Sequence, residues 1–154
     1  MTEYTYQEEQ YIDVIEELKP LLAEHYKEVA VYQETIKLNP NYHVYELMAA
    51  QGSLHMFTTR TVDKELIGYS VSFLNQHPHY SDHTYAVNDI LYVHPDHRHT
   101  EAAPRMLTEL EAVMREKGIS VMTFHMKTYK PFETLMDALE YDKIEYLFSK
   151  LLKD

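Results

Sequence analysis

The stretch from Ala103 to Gly118 limits the possible folds more than any other part of the chain. Ala103, Met106, Leu107, Leu110, Val113 and Met114 recur at i, i+3, i+4 and i+7 spacing, the mark of a helix with one apolar face. Gly118 stands where such a helix would end. Thr84–Val93 before it and Ile119–Met126 after it carry the alternating and β-branched residues of strands. A strand, a crossover helix and a second strand predict parallel neighbours in one sheet, joined by a right-handed connection.

The other segments extend that sheet. Ile12, Ile15, Leu18, Leu22 and Tyr26 predict a helix from Tyr11 to Val29, which Pro20 should kink or split. Leu38-Asn39-Pro40-Asn41 reads as a turn into a short helix through Tyr45, Leu47 and Met48, ended by Gly52. Leu54–Arg60 and Leu66–Leu74 read as strands joined by the polar turn Val62-Asp63-Lys64-Glu65. A His-, Pro- and Asp-rich loop, Asn75–Asp82, leads to the strand Thr84–Val93. Pro131 opens a helix with the stripe Phe132, Leu135, Met136 and Leu139, and Ile144, Tyr146 and Phe148 alternate as a last strand. The expected fold class is α/β (α+β), a mixed central β-sheet flanked by helices on both faces. No repeat or linker-like tract divides residues 1–154, so they read as a single domain.

Composition narrows the function classes. The formal net charge of −11 speaks against nucleic acid, whose phosphates are bound by Lys and Arg with release of counterions. It favours cationic partners such as amines or basic protein surfaces, and it also serves solubility. Cysteine is absent, which excludes a disulfide framework, a thiolate nucleophile and a Cys-based zinc site. No run approaches the roughly 18–20 apolar residues of a membrane span. The acidic start MTEYTYQEEQ lacks the features of a signal peptide, and a cytoplasmic protein is expected.

Asp89-Ile-Leu-Tyr-Val-His-Pro-Asp-His-Arg98 running into the strong helix resembles the GNAT superfamily of acetyl-coenzyme-A-dependent N-acetyltransferases. In that family a strand ends in a phrase like V-x-P-x-x-R, followed by a glycine-rich turn and a long helix. Val93, Pro95 and Arg98 match in register. Leu38-Asn-Pro-Asn, Gly68-Tyr69, Asn88–Tyr92 and Phe132…Leu139-Glu-Tyr141 are similar to a subgroup often encoded by bacteriophages.

The resemblance implies acetyl-CoA as cofactor, held along Leu91, Tyr92 and Val93 and by the turn Arg98, His99, Thr100, Glu101, Ala102 and Ala103. Backbone N–H groups at a helix N-terminus suit a pyrophosphate. Two residues depart from the pattern. Glu101 replaces the central Gly, and Pro104 contributes no N–H. Both are ordinary residues for a first helical turn, yet a carboxylate and a lost donor beside a pyrophosphate would weaken its binding.

Acetyl transfer needs a neutral amine, a polarised thioester carbonyl and a proton for the departing thiolate. Asp89 is the candidate base, since strand alternation puts it on one face with Val87, Leu91 and Val93, where desolvation would raise its pKa. Asp89 also reads as a carboxylate tied up for structure, and a bulge in the strand would change its face. Asn88 is expected to orient substrate or to hold such a bulge. The family polarises the carbonyl at a backbone N–H equivalent to that of Val93. The family's usual acid, a helical Tyr, falls here on Met136, so the proton would come from Tyr129, just before that helix, or from solvent.

His77, His79, His83, His94, His97 and His99 crowd one region without the spacing of a metal motif. His77 and His79 could line an acceptor pocket, all six also read as ordinary surface histidines, and no metal is expected. The acceptor would be an amine-bearing small molecule or protein. The resemblance also implies a possible homodimer through the C-terminal strand, Ile144–Leu152. The alternative function is a catalytically degenerate binding protein that engages a partner protein through its acidic surface.

Overall fold

Strand period two sorts the core into halves on opposite faces of one sheet. The computed structural model describes residues 3–153. Its strands are β1 (Tyr4–Glu8), β2 (Leu54–Thr61), β3 (Leu66–His77), β4 (Tyr80–Val93) and β5 (Val121–Thr123), in the spatial order β1-β2-β3-β4-β5. The first four pair antiparallel, and β5 runs parallel to β4. Met56, Leu66 and Tyr92 point to one face, and their neighbours Phe57, Ile67 and Val93 point to the other.

On the first face lie α1 (Tyr11–Val29) and α2 (Tyr42–Ala50). Helix α1 buries Tyr11, Val14, Leu18 and Leu22 against the sheet, and α2 adds Tyr42, Tyr45 and Ala49. The second face carries α3 (Ala102–Glu116), which buries Ala102, Met106, Leu107, Leu110 and Met114, and α4 (Glu133–Ala138), which adds Leu135 and Met136. The expected helices on both faces of a mixed sheet are present. No helix among the described residues is long and apolar enough to cross a membrane.

The elements differ from expectation in five places. β1 was not foreseen; it pairs with β2 from Tyr4↔Thr61 to Glu8↔Phe57. Helix α1 runs through Pro20 unbroken, because Pro20 is exposed and water can serve the carbonyl it frees. Its buried stripe is Tyr11-Val14-Leu18-Leu22, so Ile12 faces solvent at 75% exposure. The expected loop Asn75–Asp82 is a hairpin, with β3 reaching His77 and β4 starting at Tyr80. The expected last strand does not form. Ile144, Tyr146 and Phe148 are exposed, and alternation alone makes no strand without a neighbour to share hydrogen bonds.

Candidate active site

The site begins with a break in register. Val71 lies opposite Ile90 and Ser72 opposite Asn88, so Asp89 has no partner on β3 and forms a bulge. The buried Asn88 holds it, with Nδ2 3.0 Å from Ser70 Oγ and 3.1 Å from the carbonyls of Val71 and Ile90. Asn88 therefore stabilises the bulge.

The bulge also corrects the face of Asp89. Strict alternation would seat it with Leu91 and Val93, on the α3 side. Instead Asp89 joins Ile90 in the wall of a cavity of ≈ 380 Å³ beneath α1 and α2. There the Tyr45 hydroxyl donates a 2.8 Å hydrogen bond to Asp89 Oδ2, and the Tyr45 ring stacks on Phe73 at 6.2 Å. The apolar wall desolvates the carboxylate and raises its pKa above the ordinary value, against the opposing effects of the Tyr45 hydrogen bond and the charge of His125. Asp89 still presents part of its surface to solvent at the cavity mouth.

The bulge lies where β5 leaves the sheet. β4 and β5 pair only at Tyr85↔Val121, Ala86↔Met122 and Val87↔Thr123. Beyond them β4 has β3 on one side and a gap on the other. The His94 N–H turns towards β3, to the Ile67 carbonyl. Alternation then turns the backbone groups of Leu91 and Val93 to the gap. Arg98 Nε takes the Val93 carbonyl at 2.7 Å, which leaves the Val93 N–H facing the gap.

The turn into α3 is firmly tied. Arg98 pairs through both Nη atoms with Glu28 of α1, at 2.5 and 2.8 Å. The Thr100 hydroxyl donates to the His97 carbonyl at 2.6 Å and accepts from the Ala102 N–H at 3.1 Å. The Arg105 N–H bonds the Glu101 carbonyl and Pro104 has no N–H, while the N–H groups of His99, Glu101 and Ala103 take no protein acceptor in this turn. Glu101 makes no capping bond and lies 3.7 Å from Arg105. These residues fit a cofactor phosphate in place and direction, with fewer donors than a glycine-rich turn offers.

Other expected residues lie elsewhere. His77 and His79 sit at the β3–β4 hairpin, with His77 packed on Tyr80 and Tyr85. At about 3.3 Å per residue, the run from Tyr80 to Asp89 spans roughly 30 Å. Neither histidine lines the cavity, and the pocket role expected of them is withdrawn. The Tyr129 hydroxyl donates to the Val29 carbonyl, next to the Glu28–Arg98 pair. Among the described residues no three His, Asp or Glu side chains gather as a metal site. Tyr45 was missed by sequence reasoning, as no local pattern links a helix residue to a strand bulge.

No curated protein matches the chain in sequence. Solved structures share its fold at low identity. An aminoglycoside acetyltransferase from an uncultured soil metagenomic sample, in complex with sisomicin, is 10% identical, with 96% of each chain covered and a TM-score of 0.71. Glucosamine-6-phosphate N-acetyltransferase from Arabidopsis thaliana is 8% identical, with 98% of this chain and 99% of that chain covered and a TM-score of 0.72. A predicted acetyltransferase from Clostridium acetobutylicum, with acetyl-CoA, is 12% identical over 97% of each chain, with a TM-score of 0.72. The family model described as the acetyltransferase (GNAT) family matches residues 15–131. The bulged β4, the gap left by β5 and the turn into α3 are thus the parts of a GNAT fold, and the chain belongs to the acetyltransferase (GNAT) family.

Proposed function

We propose that the protein transfers an acetyl group from acetyl-CoA to a primary amine, with Asp89 as the base. One observation carries this reading: the bulge sets Asp89 where the cavity under α1 and α2 meets the gap between β4 and β5. An acceptor in the cavity and a donor in the gap would meet at that carboxylate. Fold relatives named for aminoglycoside and glucosamine-6-phosphate acetylation support an amine acceptor.

Acetyl-CoA would be held by the open edge of β4 at Leu91 and Val93 and by the turn from Arg98 through His99, Thr100, Glu101 and Ala102 to Ala103, and it would supply an activated thioester. Tyr92, expected to join them, is instead paired with Tyr69 of β3 and buried under α1. In the exchange one N–C bond forms and one C–S bond breaks, and the proton leaving nitrogen is matched by one arriving at sulfur. Asp89 accepts the proton that an ammonium must lose before it can attack, directly or through water. Its raised pKa brings it nearer to that task. The Val93 N–H faces the gap and offers a donor to a developing oxyanion. Asn88 keeps the bulge, and hence the base, in place. The thiolate takes its proton from Tyr129 or from solvent, and Tyr129 can give it only by releasing the Val29 carbonyl.

The test is thiol release from acetyl-CoA in the presence of an amine panel, with thermal unfolding followed with and without acetyl-CoA. A ligand at 100 times its dissociation constant adds about 2.7 kcal/mol of stability, which raises Tm by several degrees. Thiol release that depends on an amine supports the reading. No shift at millimolar acetyl-CoA and no thiol release overturn it, and favour the partner-binding alternative.

A further inference from the structure

The cavity under α1 and α2 has an unusual polar inventory. Its walls include Leu18, Leu22, Leu54, Met56, Val71 and Ile90. Its tyrosine hydroxyls are largely spoken for by the protein itself. Tyr11 donates to the Tyr42 carbonyl at 3.2 Å, Tyr26 to the Ile36 carbonyl at 2.5 Å and Tyr45 to Asp89 at 2.8 Å. Lys37 Nζ, also at the cavity, donates to the Gln33 carbonyl at 2.7 Å. Backbone carbonyls thus hold the Tyr11, Tyr26 and Lys37 donors and Asp89 holds that of Tyr45, so the rest of the cavity surface is mostly ring faces and aliphatic groups, with the Tyr42 hydroxyl among them.

Asp89 is the exception. Tyr45 occupies Oδ2 only, and a carboxylate has acceptor capacity for several hydrogen bonds. One anion at the mouth of an apolar chamber is the complement of one cation at the end of an apolar body. Asn39 lines the chamber as well and is exposed like Asp89, but it carries no charge to answer a cation.

We propose that the acceptor is a monoamine on an apolar alkyl or arylalkyl body, seated in this cavity with its ammonium group against Asp89. The acetyl-transfer reading above is needed for calling the ligand an acceptor; the ligand class follows from the cavity alone. An apolar cavity of about 150 Å³ holds benzene, so ≈ 380 Å³ admits a body roughly twice that size. A sugar amine would strand its hydroxyls against the aliphatic wall, and a polyamine would bury a second ammonium without a counter-charge. The chain thereby departs from the amino-sugar acceptors for which two of its fold relatives are named.

The experiment is calorimetric titration of the full chain, without cofactor, by n-alkylamines from butylamine to octylamine, 2-phenylethylamine, 2-phenylethanol, spermidine and glucosamine. Each buried methylene should tighten binding about fourfold until the cavity is full. Spermidine and glucosamine should bind at least about tenfold more weakly than 2-phenylethylamine. Asp89→Asn should weaken the amines about tenfold and leave 2-phenylethanol unchanged. Val71→Phe should shorten the longest alkylamine that binds; if that variant does not fold, the chain-length series on the unaltered protein decides.

Equal binding of spermidine or glucosamine, or no binding of the apolar amines, overturns the proposal. So does turnover of hexanoyl-CoA in preference to acetyl-CoA, since the cavity would then serve the donor's acyl chain. Apolar amines that bind without thiol release from acetyl-CoA keep this ligand class and remove the transferase reading. Acetylation confined to spermidine or glucosamine does the reverse.

Discussion

The hydroxyl of Tyr45, on α2, donates a 2.8 Å hydrogen bond to Asp89 Oδ2 on the bulge of β4. Helix and strand are thereby joined at the carboxylate proposed as the base. That bond lowers the Asp89 pKa against the raising effect of burial. Tyr45→Phe should therefore let the Asp89 pKa rise further. The acidic limb of the pH profile of kcat/KM should move to higher pH, with a smaller change on the plateau. An unmoved limb would show that Asp89 does not govern the profile.

Asp89→Asn should separate activity from stability. Loss of a general base costs about 10²–10⁴-fold in rate. Burial holds the folded pKa of Asp89 above its unfolded value, so the folded chain binds this proton more tightly. The favourable contribution is complete below the unfolded pKa and is lost as pH rises through the folded one. At neutral pH an ionised Asp89 is thus a liability to the fold, and Asn should melt higher there. Near pH 3 the advantage should vanish. Melting curves at the two pH values check it.

Glu101 belongs to the turn proposed for a pyrophosphate, with its carboxylate 3.7 Å from Arg105. Glu101→Gln should tighten coenzyme A binding about two- to fivefold, the size of a charge effect at a helix N-terminus. The gain should shrink in 0.5 M salt through screening. Titration calorimetry at two ionic strengths measures both. An unchanged affinity would place the pyrophosphate elsewhere.

The pair His55–Glu8 should make the fold acid-labile. His55 is buried and its Nε2 lies 2.7 Å from Glu8 Oε1. Burial lowers the His55 pKa despite Glu8, while hydrogen bonds from His55 and Lys117 hold Glu8 below its ordinary value against burial. The pair is thus a neutral imidazole donating to a carboxylate. As pH falls below about 6.5, unfolded His55 takes up a proton that the folded chain refuses, so stability falls. Below about 4.5, protonation of Glu8 removes more. The His55 contribution to the slope is at most about 1.4 kcal/mol per pH unit. Denaturant unfolding between pH 7 and 5 should show a shallower slope in His55→Gln.

Leu107 is fully buried beneath α3. Leu107→Ala should cost about 2–5 kcal/mol, read from the same unfolding curves, with no change in the pH profile.

What the sequence made legible was local. The stripe of α3, the Asn41 turn with Gly52 closing α2 and the main strands follow from periodicity and caps. The β3–β4 hairpin hid behind His77 and Pro78, whose composition reads as loop; only its cross-strand bonds reveal it. Asp89 was legible as a residue, but its face was not. The face depends on one unpaired position opposite Val71 and Ser72, and the Asn88 amide that fixes it is a long-range contact. Likewise the cavity arises from α1, α2 and three strands together, and no segment announces it.

The three-residue pairing of β4 with β5 has a consequence for how the molecule opens. β1 to β4 form a continuous antiparallel ladder, whereas the chain after α3 is held by the short parallel seam, by the packing of Met122, Phe124 and α4 on the α3 side, and by hydrogen bonds of Tyr129 to Val29 and of Ser149 to Tyr32. The chain from Val121 onward can therefore detach as a unit while the ladder stays intact, at a free energy below that of global unfolding. Amide hydrogens at Val121–Thr123 would exchange sooner than those at Val71 or Ile67. A donor that bridges the gap would act as a staple across that seam, and its binding would register there as slowed exchange before any product forms.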